Sequence, residues 1–311
     1  MKSPIRLLLS ILIATFFALV IAARFLLLPD SRSGDLRREV ATQGRLSFLI
    51  VGDIGTGDEH QLAVAHAMED ECQKLRGITA IIFLGDNFYM NGVDSTTDPQ
   101  WIEKIERPYS SQCLESAPII PILGNHDYRG NTDAQVAYSS INPRWWLPHR
   151  FHRVDFGSTI RIIGFDSIAP DLCFLPDFCA SDFLRKELLS SKQRWTVVLG
   201  HSPLLSSSED NYSYNGHTPL GLLMRHYLCN KADAWFSGHA HHLEHLEMEG
   251  CRSSLFVSGG GGGNLQDLGT LLKESRFAAK EHGFLRLLVD DMQFSAAFID
   301  IHGQVLYEHT K

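Results

Sequence analysis

Six side chains that commonly bind metal ions follow short apolar segments of the chain, and five have a glycine directly before them. These residues are Asp53, Asp86, Asn125, His201, His239 and His241. Their mixture of oxygen donors and imidazoles suits Fe, Mn or Zn better than Ca or Mg. Six donors exceed the three or four protein ligands that one ion takes, so the sequence predicts two ions. Asp86 is the natural carboxylate bridge between them.

The apolar segments before these residues have the length and composition of buried strands. They span residues 48–51, 80–84, 119–123, 196–199 and 234–236. Continuous apolar segments are typical of strands covered on both faces. Open α/β sheets bind their ligands at the carboxyl ends of such strands, which predicts a metal site there. Apolar residues at helical spacing predict a helix over Gln61–Leu75, between the first two strands.

The C-terminal third has a different pattern. Ser254–Val257, Phe284–Val289, Phe294–Ile299 and Val305–Tyr307 predict antiparallel strands joined by turns. Together with the first strands, they predict an α/β fold in which two mixed sheets pack face to face with helices outside. The expected architecture is a four-layer α/β/β/α sandwich with a dinuclear metal site at the strand carboxyl ends.

The polar segments resemble the five motif blocks of the calcineurin-like metallophosphoesterases. The blocks are Gly52-Asp53-Ile54-Gly55, Gly85-Asp86-Asn87-Phe88-Tyr89, Gly124-Asn125-His126-Asp127, Val198-Leu199-Gly200-His201 and Gly238-His239-Ala240-His241. Tyr89, three residues after Asp86, is typical of the purple acid phosphatases within that superfamily. The chain most resembles the small, tartrate-resistant acid phosphatase type, over about Leu46 to Leu306.

The resemblance implies a specific ligand set. It assigns Asp53, Tyr89 and His241 to a ferric ion, Asn125, His201 and His239 to a second divalent ion (Fe, Zn or Mn), and Asp86 to both ions. The activity it implies is hydrolysis of phosphate monoesters with an acidic optimum, in which a metal-bound hydroxide attacks phosphorus. His126 would lie near the phosphate and His217 would assist the leaving group as the second catalytic residue.

Three other features of the sequence bear on the predicted site. Ala240 replaces the aspartate of the family's Gly-His-Asp-His block, which removes a carboxylate near the ligands. The glycines at 259–263 resemble a family loop close to the site, although a simple turn explains them equally well. His242 follows a ligand candidate directly, but strand alternation turns it away from His241. We therefore expect His242 to face solvent or to support the site indirectly.

The first 29 residues predict a targeting or anchoring segment. Lys2 and Arg6 precede an uncharged apolar stretch from Leu7 to Ala23. An uncleaved membrane anchor and a cleaved signal peptide both fit this pattern. Residues 30–45 are polar and predict a linker, and residues 46–311 the catalytic domain. Both readings predict an extracytoplasmic protein that is either secreted or held at a membrane by this segment.

Six cysteines agree with export from the cytosol. Sequence proximity favours the pairs 72–113, 173–179 and 229–251, although six cysteines allow 15 connectivities and free thiols are the alternative. The net charge of -8, from 28 basic and 36 acidic residues, disfavours nucleic acid as a partner. We expect a monomer that binds a phosphate ester through local positive charge.

Two other functions remain compatible with these residues. One is a phosphodiesterase or pyrophosphatase of the same superfamily that uses Mn or Zn, against which Tyr89 argues. The other is a membrane-tethered protein that binds phosphate or metal without turnover. The complete set of ligand candidates and His126 argue against it.

Overall fold

The computed structural model describes residues 36–42, 44–168, 180–209 and 219–311. The strands are β1 (Arg37–Val40), β2 (Leu46–Val51), β3 (Ala80–Phe83), β4 (Ile119–Pro121), β5 (His152–Phe156), β6 (Ile160–Gly164), β7 (Trp195–Leu199), β8 (Ala234–Ser237), β9 (Leu243–Glu247), β10 (Ser254–Ser258), β11 (Ser275–Ala279), β12 (Gly283–Val289), β13 (Phe294–Asp300) and β14 (Val305–Thr310). The α-helices are α1 (Glu59–Leu75), α2 (Thr132–Tyr138), α3 (Ala180–Ser190) and α4 (Pro219–Lys231). A π-helical turn spans Trp101–Glu106, and a 3-10 turn spans Asp127–Arg129.

The strands form two mixed sheets. The six-stranded sheet has the order β14-β13-β12-β2-β3-β4, in which β2, β3 and β4 are parallel to one another. The eight-stranded sheet has the order β1-β5-β6-β7-β8-β10-β9-β11, with β6, β7 and β8 parallel. Both sheets are therefore mixed, with a group of parallel strands and antiparallel strands beside it, as the sequence predicts.

Alternating side chains of each strand face opposite layers of the molecule. In β2, Phe48 and Ile50 join the apolar cluster between the two sheets, where they meet Phe236 of β8. Leu49 and Val51 face the other way and pack in a second cluster with residues of α1. Residues of α3 and α4 cover the outer face of the eight-stranded sheet in a third cluster. These three clusters confirm the four-layer α/β/β/α sandwich.

Helix α1 has clear end signals. Asp58 precedes it and accepts hydrogen bonds from the N–H groups of His60 and Gln61, at 3.0 and 3.1 Å. This contact satisfies donors that have no partner within the helix. Arg76 ends the helix in the left-handed conformation, with φ of 60°. The helix therefore starts just before the predicted Gln61 and ends at the predicted Leu75.

Part of the predicted linker over residues 30–45 is a strand instead. Arg37–Val40 form strand β1, which pairs in parallel with β5 at the edge of the eight-stranded sheet. Residues 1–29, with the predicted anchor or signal peptide, lie outside the described residues. In the described part of the chain, no helix has both the length and the apolar character needed to cross a bilayer.

Two of the predicted disulfides are confirmed. Cys72 of α1 is bonded to Cys113, and Cys229 of α4 is bonded to Cys251. The predicted partners Cys173 and Cys179 lie outside the described residues. The first bond connects positions separated by 41 residues and fixes the segment before β4 to α1.

Replacing both Cys72 and Cys113 with alanine is expected to lower the free energy of unfolding by about 4 kcal/mol, because the unfolded chain regains the freedom that the crosslink removes. Urea denaturation monitored by circular dichroism measures the change. Equal stability of the double variant and the oxidised wild type would contradict the prediction. The variant that lacks Cys229 and Cys251 provides the comparison for a shorter closed loop.

Candidate metal centre

The candidate ligands divide between the two sheets according to their chemistry. Every oxygen donor follows a strand of the six-stranded sheet: Asp53 follows β2, Asp86 and Tyr89 follow β3, and Asn125 follows β4. The imidazoles follow strands of the eight-stranded sheet, with His201 after β7 and both His239 and His241 after β8. The site is therefore assembled where the ends of the two sheets meet.

One group of three side chains contains Asp53, Tyr89 and His241. The Tyr89 hydroxyl oxygen lies 3.0 Å from Asp53 Oδ1 and 2.9 Å from His241 Nε2. The remaining pair, His241 Nε2 and Asp53 Oδ1, is separated by 3.3 Å. These three atoms form a compact triangle of two oxygens and one nitrogen.

A second group surrounds His201. Its Nε2 atom lies 3.1 Å from Asn125 Oδ1, 3.2 Å from His239 Nδ1 and 3.5 Å from Asp86 Oδ1. The donor atoms of Asp86, His201 and His239 all lie within 4.8 Å of one another. The structure thus brings the seven predicted ligands together in two groups, with Asp86 in the second group by these distances.

These separations fit donor atoms arranged around cations. Metal–ligand bonds of about 2.1 Å place neighbouring donor atoms about 3.0 Å apart in octahedral geometry and about 3.4 Å apart in tetrahedral geometry. His201 Nε2 and His239 Nδ1 face each other at 3.2 Å. Two neutral imidazole lone pairs repel at this distance, so a proton or a metal ion has to lie between them. The residues present fit a centre of two metal ions.

The backbone at this site is strained. Asp53, Asp86 and His239 have positive φ angles of 62°, 51° and 67°. Among the described residues, the only other non-glycine residue with positive φ is Arg76, at the end of α1. Such conformations cost free energy and persist where the surrounding structure enforces them. Three of them in one cluster support a functional role for this site.

Two glycines allow the ligand groups to approach each other. A Cβ atom on Gly124 would lie 2.2 Å from Asp86 Oδ1, and one on Gly263 would lie 2.6 Å from the His241 ring. Neither position has room for a side chain. The glycine segment at 259–263 is buried, and the Gly263 N–H donates to the Asp53 carbonyl oxygen at 2.9 Å. This segment therefore packs directly on the site.

Backbone carbonyl groups orient two of the imidazoles. His201 Nδ1–H donates to the Leu84 carbonyl oxygen at 2.7 Å, and His241 Nδ1–H donates to the Asn264 carbonyl oxygen at 2.7 Å. Each bond places the proton on Nδ1 and turns Nε2 toward the cluster. Hydrogen bonds of this kind fix the tautomer and ring orientation of metal-binding histidines.

Charge interactions shift the pKa values of these groups in opposite directions. Burial lowers the pKa of His201, but the Asp86 carboxylate outweighs it and raises the pKa to about 9. Burial and the charge of His201 lower the pKa of His239 to about 4. Burial and the carboxylates of Asp53 and Asp86 hold the pKa of Tyr89 well above its usual range. A Tyr89 phenolate therefore requires strong positive charge at the cluster.

Of the two predicted catalytic histidines, His126 lies within the described residues. His126 Nδ1–H donates to the Met90 carbonyl oxygen at 2.8 Å, and its ring lies 4.5 Å from that of Tyr89. Its Nε2 atom is directed to the cluster, 3.9 Å from Asp86 Oδ2. His217 lies outside the described residues.

Sequence reasoning assigned no role to Asp127, which anchors the loops that carry the candidate ligands. Its buried carboxylate accepts hydrogen bonds from the Gly124 N–H at 2.8 Å, the Asn87 N–H at 3.1 Å and Gln135 Nε2 at 2.9 Å. Burial and the Asp86 charge raise its pKa to about 7. Asp127 thereby joins the β3 and β4 ends, and its place after Asn125 and His126 was the available signal.

The remaining positions singled out by the sequence have packing roles. The Ala240 side chain is buried in the outer apolar cluster with Leu204 and Leu246, so its methyl group faces this apolar layer. His242 turns away from the ligands, as alternation predicts. It is buried rather than exposed, and its Nε2 atom lies 3.0 Å from Glu244 Oε2.

The chain is similar in sequence to a known protein family and to individual phosphatases. Residues 46–243 match the profile of the family described as calcineurin-like phosphoesterase. The chain is 31% identical to purple acid phosphatase 3 of Arabidopsis thaliana, over 90% of this chain and 82% of that protein. It is 27% identical to tartrate-resistant acid phosphatase type 5 of Sus scrofa, over 94% of this chain and 95% of that protein.

Solved structures show the same fold. The structure of GAP50, the anchor in the inner membrane complex of Plasmodium, superposes with a TM-score of 0.73 at 22% identity. The match covers 86% of this chain and 88% of the GAP50 chain. The structure of the purple acid phosphatase PPD1 from yellow lupin (Lupinus luteus) superposes with a TM-score of 0.66 at 19% identity. The match covers 86% of this chain and 54% of the PPD1 chain.

Replacing Asp127 with alanine is expected to lower the free energy of unfolding by about 2–5 kcal/mol, because several buried donors lose their acceptor. Urea denaturation measures the loss. Asp127→Asn retains one oxygen acceptor and should recover part of the stability. Asp133→Ala, at an exposed aspartate of α2, serves as the control. If Asp127→Ala were as stable as this control, the anchoring role would be refuted.

Proposed function

Because this chain belongs to the calcineurin-like phosphoesterases, and within them to the purple acid phosphatases, we propose that it is an acid phosphatase that hydrolyses phosphate monoesters at a dinuclear metal centre. The observation that carries the proposal is the convergence of seven donor side chains from both sheets, with neighbouring donor atoms 2.9 to 3.5 Å apart. Family membership indicates phosphoester hydrolysis, and this geometry indicates which residues would form the site.

Each of the two ligand groups suits a different ion. Asp53, Tyr89 and His241 would hold Fe(III), because a phenolate is a hard donor that favours the ferric state. Asn125, His201 and His239 would hold a divalent ion, Fe, Zn or Mn. Asp86 lies close enough to Tyr89 to raise its pKa and 3.5 Å from His201 Nε2, which supports its role as the bridge.

When bound, the two ions supply positive charge for the phosphate oxygens and a water-derived nucleophile that forms even in mild acid. The protein's own contribution is positioning. His126, whose ring is held by the Met90 carbonyl oxygen and lies beside Tyr89, would present Nε2 to a phosphate oxygen. His217 would provide a proton to the leaving alkoxide or phenoxide.

The charge of the protein restricts how the substrate is recognised. With a net charge of -8, the surface as a whole repels anions at long range. A phosphate monoester would therefore be attracted by the bound cations and the surrounding hydrogen-bond donors. Nucleic acid is an unsuitable partner for the same reason.

The alternative within the superfamily is a Mn or Zn enzyme that acts on diesters or pyrophosphates. The position of the Tyr89 hydroxyl between Asp53 and His241 favours the iron enzyme. A membrane-tethered protein without turnover is the other alternative, and the completeness of the ligand groups together with the orientation of His126 argues against it.

The two disulfides of the described residues support function in an extracellular or secreted setting.

Replacing Asp86 with alanine is expected to reduce kcat/KM for p-nitrophenyl phosphate by on the order of a thousandfold, because both ions lose a shared ligand. The assay covers mild acid to neutral pH, with wild type and variant loaded with iron and zinc. Asp70→Ala, at an exposed aspartate of α1, is the control. An equally inactive wild type would refute enzymatic function, and a fully active Asp86→Ala variant would refute the centre.

Replacing Tyr89 with phenylalanine is expected to abolish visible absorption of the iron-loaded protein, because the phenolate-to-iron charge transfer that colours the protein is lost. Absorption spectra and iron content are measured together for the wild type and the variant. A colourless, iron-loaded wild type would favour the Mn or Zn alternative. Comparing turnover of p-nitrophenyl phosphate with that of bis-p-nitrophenyl phosphate then separates monoesterase from diesterase.

A further inference from the structure

A second group of potential metal ligands lies on β9 and β14, outside the candidate centre. His245 and Glu247 are two residues apart on β9 and therefore project from the same face of that strand. His309 belongs to β14, the edge strand of the other sheet. The group thus connects the eight-stranded sheet to the six-stranded sheet.

The donor atoms of these three residues surround a small volume. Glu247 Oε1 lies 3.6 Å from His245 Nε2 and 3.6 Å from His309 Nε2. Each of the three residues offers one donor atom within 4.8 Å of the donor atoms of the other two. Tetrahedral Zn²⁺ with bonds of about 2.0–2.1 Å separates its ligand atoms by about 3.4 Å. The donor atoms would therefore have to move only slightly closer together to bind the ion.

His245 provides an independent sign that a ligand belongs here. Its side chain is completely buried, and its Nε2 atom has no hydrogen-bond partner among the described residues. Nδ1 lies 3.0 Å from the Tyr307 hydroxyl, and the ring stacks on Phe256 with 4.5 Å between centroids. A buried polar atom left without a partner is costly, and a metal ion would satisfy it.

The protonation state of His245 also suits metal binding. Burial, helped by the neighbouring His309, Lys311 and Arg276, lowers the pKa of His245 to about 3. The imidazole is therefore neutral at physiological pH. If Nδ1–H donates to the Tyr307 oxygen, Nε2 carries the lone pair that a metal needs, and Tyr307 fixes the ring orientation.

The group is accessible from solvent on one side. The Glu247 side chain is 39% exposed, whereas that of His309 is 18% exposed. The Ser254 hydroxyl donates to Glu247 Oε1 at 3.0 Å and lies 3.3 Å from His309 Nε2, so it holds these two side chains together. The nearby Lys311 ammonium donates to the carbonyl oxygens of Asp233 and Arg252, which holds it on these backbone groups.

We propose that His245, Glu247 and His309 form a second metal site, which binds Zn²⁺ and crosslinks the two sheets. Two imidazoles and one carboxylate with an open fourth position are a common ligand set for zinc. The ion would join strands that belong to different sheets and lie more than 50 residues apart in the chain. Its primary effect is stability, and it is independent of the proposed phosphatase activity.

The test uses the full-length protein dialysed against Zn²⁺, with bound zinc counted by elemental analysis. We expect His309→Ala to bind one zinc ion fewer per chain than the wild type. His302→Ala, at an exposed histidine in the turn before β14, should match the wild type. Both variants keep every candidate ligand of the phosphatase centre, so that centre contributes equally to each count.

Thermal unfolding provides the second readout. Zinc at a hundredfold excess over its dissociation constant should raise the Tm of wild type and His302→Ala by about 5 °C more than that of His309→Ala. The proposal fails if His309→Ala binds as much zinc as the wild type and is stabilised to the same extent. Should that variant not fold, the partly exposed Glu247→Gln decides by the same two measurements.

Discussion

The close approach of seven polar donor groups to one another is the constraint that the rest of this structure has to satisfy. Two carboxylates, a phenol, an amide and three imidazoles meet at neighbouring distances of 2.9 to 3.5 Å in a largely buried position. Without metal ions, a proton on His201 offsets the negative charge of the neighbouring Asp86 carboxylate. The surrounding fold holds the groups in place through carbonyl groups that orient the imidazoles and through the buried Asp127, and it enforces strained backbone at Asp53, Asp86 and His239.

Much of this site could be predicted from the sequence, because most of the candidate ligands directly follow apolar strand segments. A polar residue after a continuous apolar segment and a glycine is a local pattern that is visible without a structure. The same pattern predicts the parallel strands. Together with the antiparallel strands of the C-terminal third, it predicts the four-layer sandwich. The resemblance to a known family then added Tyr89 and the division of ligands between two ions.

Other features depend on contacts between distant segments and leave little local signal. Strand β1 was predicted as linker because Arg37, Arg38 and Glu39 are exposed on a sheet edge and carry no apolar alternation. Its partner β5 lies more than a hundred residues away. The role of Asp127 depends on donors from Asn87 and Gln135, which only the folded chain brings together. The grouping of His245 with His309 likewise requires the packing of one sheet on the other.

The division of donor types between the sheets has a consequence for how the protein matures. All oxygen donors precede position 126, and all imidazoles follow position 200. A nascent chain released only to its midpoint would therefore present carboxylates and a phenol without a single imidazole of the set. The proposed two-ion centre would then be complete only after the chain has been made beyond His241 and both sheets have docked.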